Sequence, residues 1–84
     1  MSRIEYTLTL RMSPDYVRDT LDLVLAAAAD LNLETADVDT PEGLAAFACA
    51  EAACYFDDDQ MVRCALSLRR AVSLVNDLME SCNA

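Results

Sequence analysis

The sequence predicts a mostly helical fold of mixed α+β class, one N-terminal β-strand followed by a three-helix bundle. Three observations carry that prediction. Residues 3–12, RIEYTLTLRM, alternate with period two; residues 44–56, LAAFACAEAACYF, hold one charge in thirteen positions; and residues 61–82 keep an apolar four-three spacing over three heptads. Alternation is the pattern of a half-buried strand, and four-three spacing that of a helix with one buried face. A helix that is apolar nearly all round belongs inside a protein, so the Leu44–Phe56 stretch is expected to be buried on most sides, with the other elements around it. Eighty-four residues suffice for a single small domain, 1–84. A chain this short hides only about 60–65% of its unfolded surface, so a partner or a second copy is expected to contribute.

In the strand, Ile4, Tyr6, Leu8, Leu10 and Met12 share one face, and Arg3, Glu5, Thr7, Thr9 and Arg11 the other. A lone strand leaves its hydrogen-bonding edges open. Pairing across a homodimer through Tyr6, Leu8 and Leu10, pairing with another protein, or pairing with a short second strand over 33–38 would each close them. Ser13-Pro14-Asp15 supplies an N-cap, a proline suited to the first turn and a charge favourable to the helix dipole. The first helix, about 14–31, buries Val17, Leu21, Val24, Ala28 and Leu31 and stops at Asn32. Arg18 stands four before Asp22, the spacing of a modest ion pair.

Thr40-Pro41 repeats the start signal for a helix over about 41–56. Asp57 with Gln60 three residues on has the form of a capping box, placing the last helix at about 58–81. Its inner stripe is Met61, Ala65, Leu68, Val72, Val75, Met79 and Cys82, widened by Cys64, Ala71 and Leu78. Its outer face carries Arg63, Ser67, Arg70, Asp77 and Glu80. Such a seam suits packing on the central helix or a coiled-coil contact with a second copy.

The chemistry-bearing residues exclude more than they assign. There is no histidine to shuttle protons near neutral pH, and the only glycine, Gly43, makes no phosphate loop. Ser13, Ser67, Ser73 and Ser81 have no base to activate them. Cys49, Cys54, Cys64 and Cys82 lack the close pairing of zinc ligands; they read as small core hydrophobes, Cys49 and Cys54 within the buried helix. Glu34, Asp37, Asp39 and Glu42 cluster in the connection between the first two helices, without the glycine and distal glutamate of a calcium loop. The expectation is a non-enzymatic protein without cofactor or metal. The longest apolar runs, Leu23–Ala29 and Leu44–Ala50, are seven residues each, well short of the roughly 20 a membrane helix needs. Met1-Ser2-Arg3 leads straight into the alternating segment without a signal peptide, so a cytoplasmic location is expected.

Charge is the most unusual global property. Fifteen Asp and Glu stand against six arginines, with a net charge of −9 and a pI near 4.1. Such a surface repels nucleic acid and anionic lipid and attracts basic protein surfaces. The residues expected to meet such a partner are Asp15, Asp19 and Asp22 on the first helix, Asp37 and Asp39 in the first connection, and Asp57, Asp58 and Asp59 in the second. The bland reading is that the same charges keep a small apolar domain soluble.

Three resemblances bear on this. Acyl carrier proteins are likewise small, acidic and helical, but the serine–leucine pairs here, Leu66-Ser67-Leu68 and Val72-Ser73-Leu74, lie inside a helix with no preceding aspartate, which removes the carrier reading. Tyr6–Leu25, YTLTLRMSPDYVRDTLDLVL, resembles the front half of the ribbon–helix–helix DNA-binding dimers and antitoxins. That implies an intertwined dimer of antiparallel strands, with Thr7, Thr9 and Arg11 facing outward. The basic second helix of that family is replaced by an acidic connection and an apolar helix, so direct nucleic-acid binding is not expected, and the dimer stays one of the ways the strand edge can be closed. In size, acidity and lack of motifs the chain is similar to phage-encoded anti-defence proteins, anti-CRISPRs and antirestriction proteins among them. The functional expectation is an inhibitor of that kind, blocking a basic nucleic-acid-handling surface of a protein or nucleoprotein complex. The alternative is an antitoxin or small chaperone-like module that uses its strand edge and apolar helix seam.

Overall fold

The computed structural model describes residues 3–6, 13–33, 37 and 39–82. They form a bundle of three helices, α1 (Pro14–Asp30), α2 (Pro41–Asp57) and α3 (Met61–Cys82). The α2–α3 connection is a short turn, and Glu51 meets Ser67 across the pair, so these helices are antiparallel. Residues 25–29 of α1 lie along a groove with residues 46–50 of α2, giving an up-down-up bundle.

Each helix end follows from local chemistry. Ser13 precedes α1 in an extended conformation; its side chain makes no capping bond, and its carbonyl accepts from the Val17 N–H at 3.1 Å. Asn32 ends α1 in the left-handed region (φ 57°), which asparagine tolerates better than most residues. The Thr40 hydroxyl accepts from the Gly43 N–H at 3.1 Å and donates to the Asp37 carbonyl at 2.6 Å, capping α2 in the expected way. The capping box expected at Asp57 and Gln60 is not formed. Asp57 is the last residue of α2, Asp59 adopts φ 59°, and the N–H groups of Asp59 and Gln60 donate back to the carbonyls of Phe56 and Tyr55. This is the Schellman closure of a helix C-terminus, and it delays α3 to Met61.

The core consists of Val17, Leu21 and Val24 from α1, Leu33 behind it, Ala45, Ala48, Cys49 and Ala52 from α2, and the α3 stripe Cys64, Leu68, Ala71, Val72, Val75 and Met79. From Cys64 to Met79 the α3 stripe is as expected, with two polar additions, Ser67 and Asn76. Ser67 is buried, not outward, and its hydroxyl donates to the Glu51 carboxylate at 2.8 Å; the one charge of the central stretch thus has a partner at the α2–α3 seam. Arg18 lies 3.5 Å from Asp15 and 3.9 Å from Asp19, and is not paired with Asp22.

Two larger expectations are corrected. No strand exists among the described residues. Residues 3–6 are irregular, because the Asn76 side chain takes both backbone groups of Ile4: its Oδ1 accepts from the Ile4 N–H at 2.9 Å, and its Nδ2 donates to the Ile4 carbonyl at 2.8 Å. A side-chain amide thus fills the place a neighbouring strand would take. Residues 7–12, with Leu8 and Leu10, lie outside the described residues, as does most of 33–38, where Leu33 is buried in the core.

The second correction concerns α2. It is buried on one side only, through Gly43, Ala45, Ala48, Cys49 and Ala52. Phe47 is 58% exposed, Leu44 41%, and Cys54 is exposed as well. The small residues face inward and let the helices approach closely, leaving Leu44 and Phe47 outside, while Tyr55 and Phe56 pack partly against the core.

Candidate binding surface

All eight aspartates singled out from the sequence are exposed. Asp15, Asp19 and Asp22 recur at spacings of four and three along α1, which puts them on one side of the helix within about 10 Å of rise. Among the described residues Arg18 is the only cation within ion-pair distance of any of the eight. Asp57, Asp58 and Asp59 sit at the α2–α3 turn, at the end of the bundle where α1 begins. That placement follows from Tyr6, whose ring stacks on Tyr16 near the start of α1 (5.6 Å between centroids, planes at 20°) while its hydroxyl donates to the Ala65 carbonyl near the start of α3 at 3.4 Å. Asp37 and Asp39 belong to the opposite end, one length of α1 away, about 25 Å. The structure therefore gathers Asp15, Asp19, Asp57, Asp58 and Asp59 toward one end, with Asp22 half-way along α1, and leaves Asp37 and Asp39 apart.

The charge is unevenly spread. α2 carries Glu42, Glu51 and Asp57 and no arginine, and α1 carries Asp15, Asp19, Asp22 and Asp30 against Arg18. Arg63, Arg69 and Arg70 are all on α3, where the Arg63 guanidinium lies 6.0 Å from the centre of the Tyr55 ring.

Tyr6, expected in a dimer strand, is half-buried against its own chain. Arg3 pairs with Glu80, so residues 3–6 run along α3 in the reverse direction, from its end toward its start. An open hollow of about 430 Å³ lies beside them, lined by Arg3, Tyr6, Arg69, Ser73 and Asn76 among others. Burial, then the Cys64 thiol and the Tyr16 phenol close by, push the Tyr6 phenol up to about 12. Burial pushes the Cys49 and Cys64 thiols up as well, away from the thiolate form that nucleophilic chemistry needs. Among the described residues no group of three acidic, cysteine or histidine side chains converges on a point where a metal ion could sit, and no helix is long and apolar enough to cross a membrane.

Sequence reasoning missed the outer face of α2. Its signal was present, since Leu44 and Phe47 fall on the side of the helix away from Ala45, Ala48 and Ala52. Compared with known proteins, the chain matches no family model, and no curated protein or solved structure is significantly similar to it.

Proposed function

We propose that this protein is a small, non-enzymatic inhibitor that binds a basic surface of another protein or nucleoprotein complex, one that otherwise handles nucleic acid, as phage anti-defence proteins do. The observation that supports this reading is the exposed acidic set toward one end of the bundle, in which Arg18 is the only cation within ion-pair distance among the described residues: Asp15, Asp19 and Asp22 in a row on α1 and Asp57–Asp59 at the adjacent turn. Carboxylates fixed on a helix present acceptors at regular spacing to a groove built for phosphates, and the net charge of −9 steers encounter from a distance.

The alternative, an antitoxin or chaperone-like module, draws on the strand edge and the α3 seam. Ala65, Leu68, Val72, Val75 and Met79 of that seam are buried within the chain itself, and Tyr6 is engaged with Tyr16 and Ala65. The acidic reading therefore has more free surface to act through.

The test is capture of a partner from nuclease-treated host lysate by the tagged protein, with washes at low salt and at about 0.5 M, where the screening length falls to a few ångströms. Retention of a nucleic-acid-binding protein that salt releases, and that the Asp19→Arg, Asp22→Arg variant no longer retains although its helicity is unchanged, is the expected result. A partner held equally by the variant and at both salt concentrations would overturn the reading.

A further inference from the structure

The outer face of α2 is the largest feature the acidic reading leaves unexplained. A helix that is apolar on both sides and covered on only one exposes surface at a free-energy cost. Phe47 stands one residue on from Ala46 and three before Ala50. Those two alanines, with Cys49, form the α2 wall of a shallow groove of about 250 Å³ whose other wall is Leu25, Ala28 and Ala29 of α1. Leu44, one turn before Phe47, continues the apolar strip. The shape, two helices with an apolar channel between them and an exposed aromatic side chain one helical turn from its Ala50 wall, is one that takes a third helix.

The charges bordering this face decide what that helix is. Asp22, three residues before Leu25, is its same-face neighbour on α1, and Glu42, Glu51 and Asp57 are the charged residues of α2. A second copy docked α2 against α2 would bring together two helices whose charged residues are all acidic, and like charges so juxtaposed oppose association. We infer that the α1–α2 groove and the outer face of α2 receive a basic amphipathic helix of the partner, its apolar stripe seated on Leu25, Leu44, Phe47 and Ala50 and its cations on the surrounding carboxylates. This rests on the reading of the partner as basic and adds to it the anchor: acidic rows bring the partner in, and Phe47 holds it. Apolar anchors at the centre of an interface carry most of the binding energy, while rim charges set rate and salt dependence.

The experiment titrates the full chain with three synthetic probes, followed by fluorescence anisotropy: an amphipathic lysine–leucine helix, its glutamate–leucine counterpart, and an oligolysine of equal charge. The lysine–leucine helix is expected to bind tightest. Phe47→Ala should weaken it about tenfold or more, leave oligolysine binding unchanged and leave the circular dichroism unchanged; Leu44→Ala, also at an exposed position, should act in the same direction. Equal binding by the wild type and both variants overturns the inference, as does equal binding of the glutamate–leucine helix. Oligolysine binding as tightly as the helix overturns it while sparing the charge-based proposal above; binding of neither cationic probe counts against both. A dimer in sedimentation that Phe47→Ala dissociates would show that a second copy covers the face, and also overturns it.

Discussion

Asn76 is the residue whose role is least like its neighbours'. It is 3% exposed in the middle of an apolar helical stripe, and a buried amide is costly unless both its ends are satisfied. Both are, by Ile4. Asn76→Ala should therefore cost about 1–3 kcal/mol in urea denaturation and also expose the amide of Ile4 to fast hydrogen exchange, whereas an exposed polar position such as Ser73 should tolerate alanine in both assays. Tyr6, two residues on from Ile4, gives the docking of the same segment a pH dependence through its own contacts with Tyr16 and Ala65. Its phenol is raised from the ordinary value near 10 to about 12, so the folded state favours the neutral form. Its contribution to stability is complete below pH 10 and is lost as pH climbs through 12. Thermal melts across that window should show a falling midpoint in the wild type, and a shallower fall in Tyr6→Phe.

At the scale of elements, the three helices were legible, while the strand expected over residues 3–12 is not formed in its described part, residues 3–6. Asn32, Thr40 and Pro41 announced their boundaries because capping chemistry is local: Thr40 meets Gly43 only three residues away. The α3 stripe was legible because a long, regular repeat admits one buried face. Residues 3–6 misled because period-two alternation reports which side chains face inward, not what bonds the backbone; the Ile4 backbone is held by an amide from 72 residues further on, which no local pattern records. α2 misled in the opposite direction. Composition said apolar and therefore buried, but alanine on the inner side brings α3 close and fills the space before Phe47 can. The consequence can be checked. Ala52→Leu, at a fully buried position on the inner face, should destabilise by about 1–3 kcal/mol through overpacking, while Phe47→Ala should leave the denaturation midpoint within about 0.5 kcal/mol of wild type. Equal costs would mean that the inner and outer sides of α2 are wrongly assigned.

For the molecule as a whole, the acidic residues were legible singly and their grouping was not. Which aspartates share an end depends on the up-down-up order and on Tyr6 touching both Tyr16 and Ala65, facts of topology. The clasp that fixes this end-to-end arrangement also settles how the molecule would respond to tension. Because residues 3–6 run back along α3, with Arg3 beside Glu80 and Ile4 beside Asn76, a pull applied between residue 3 and residue 82 loads these contacts one after another, like a zipper opened from its end, and never all at once in shear. The segment should peel away at low force in an optical trap, first from Glu80, then Asn76, then Ala65, with the α2–α3 hairpin still folded behind it. A pull applied between Asp59 and residue 82, at the two ends of α3, would load that helix along its length instead, and the same bundle should then resist in a single, higher-force event.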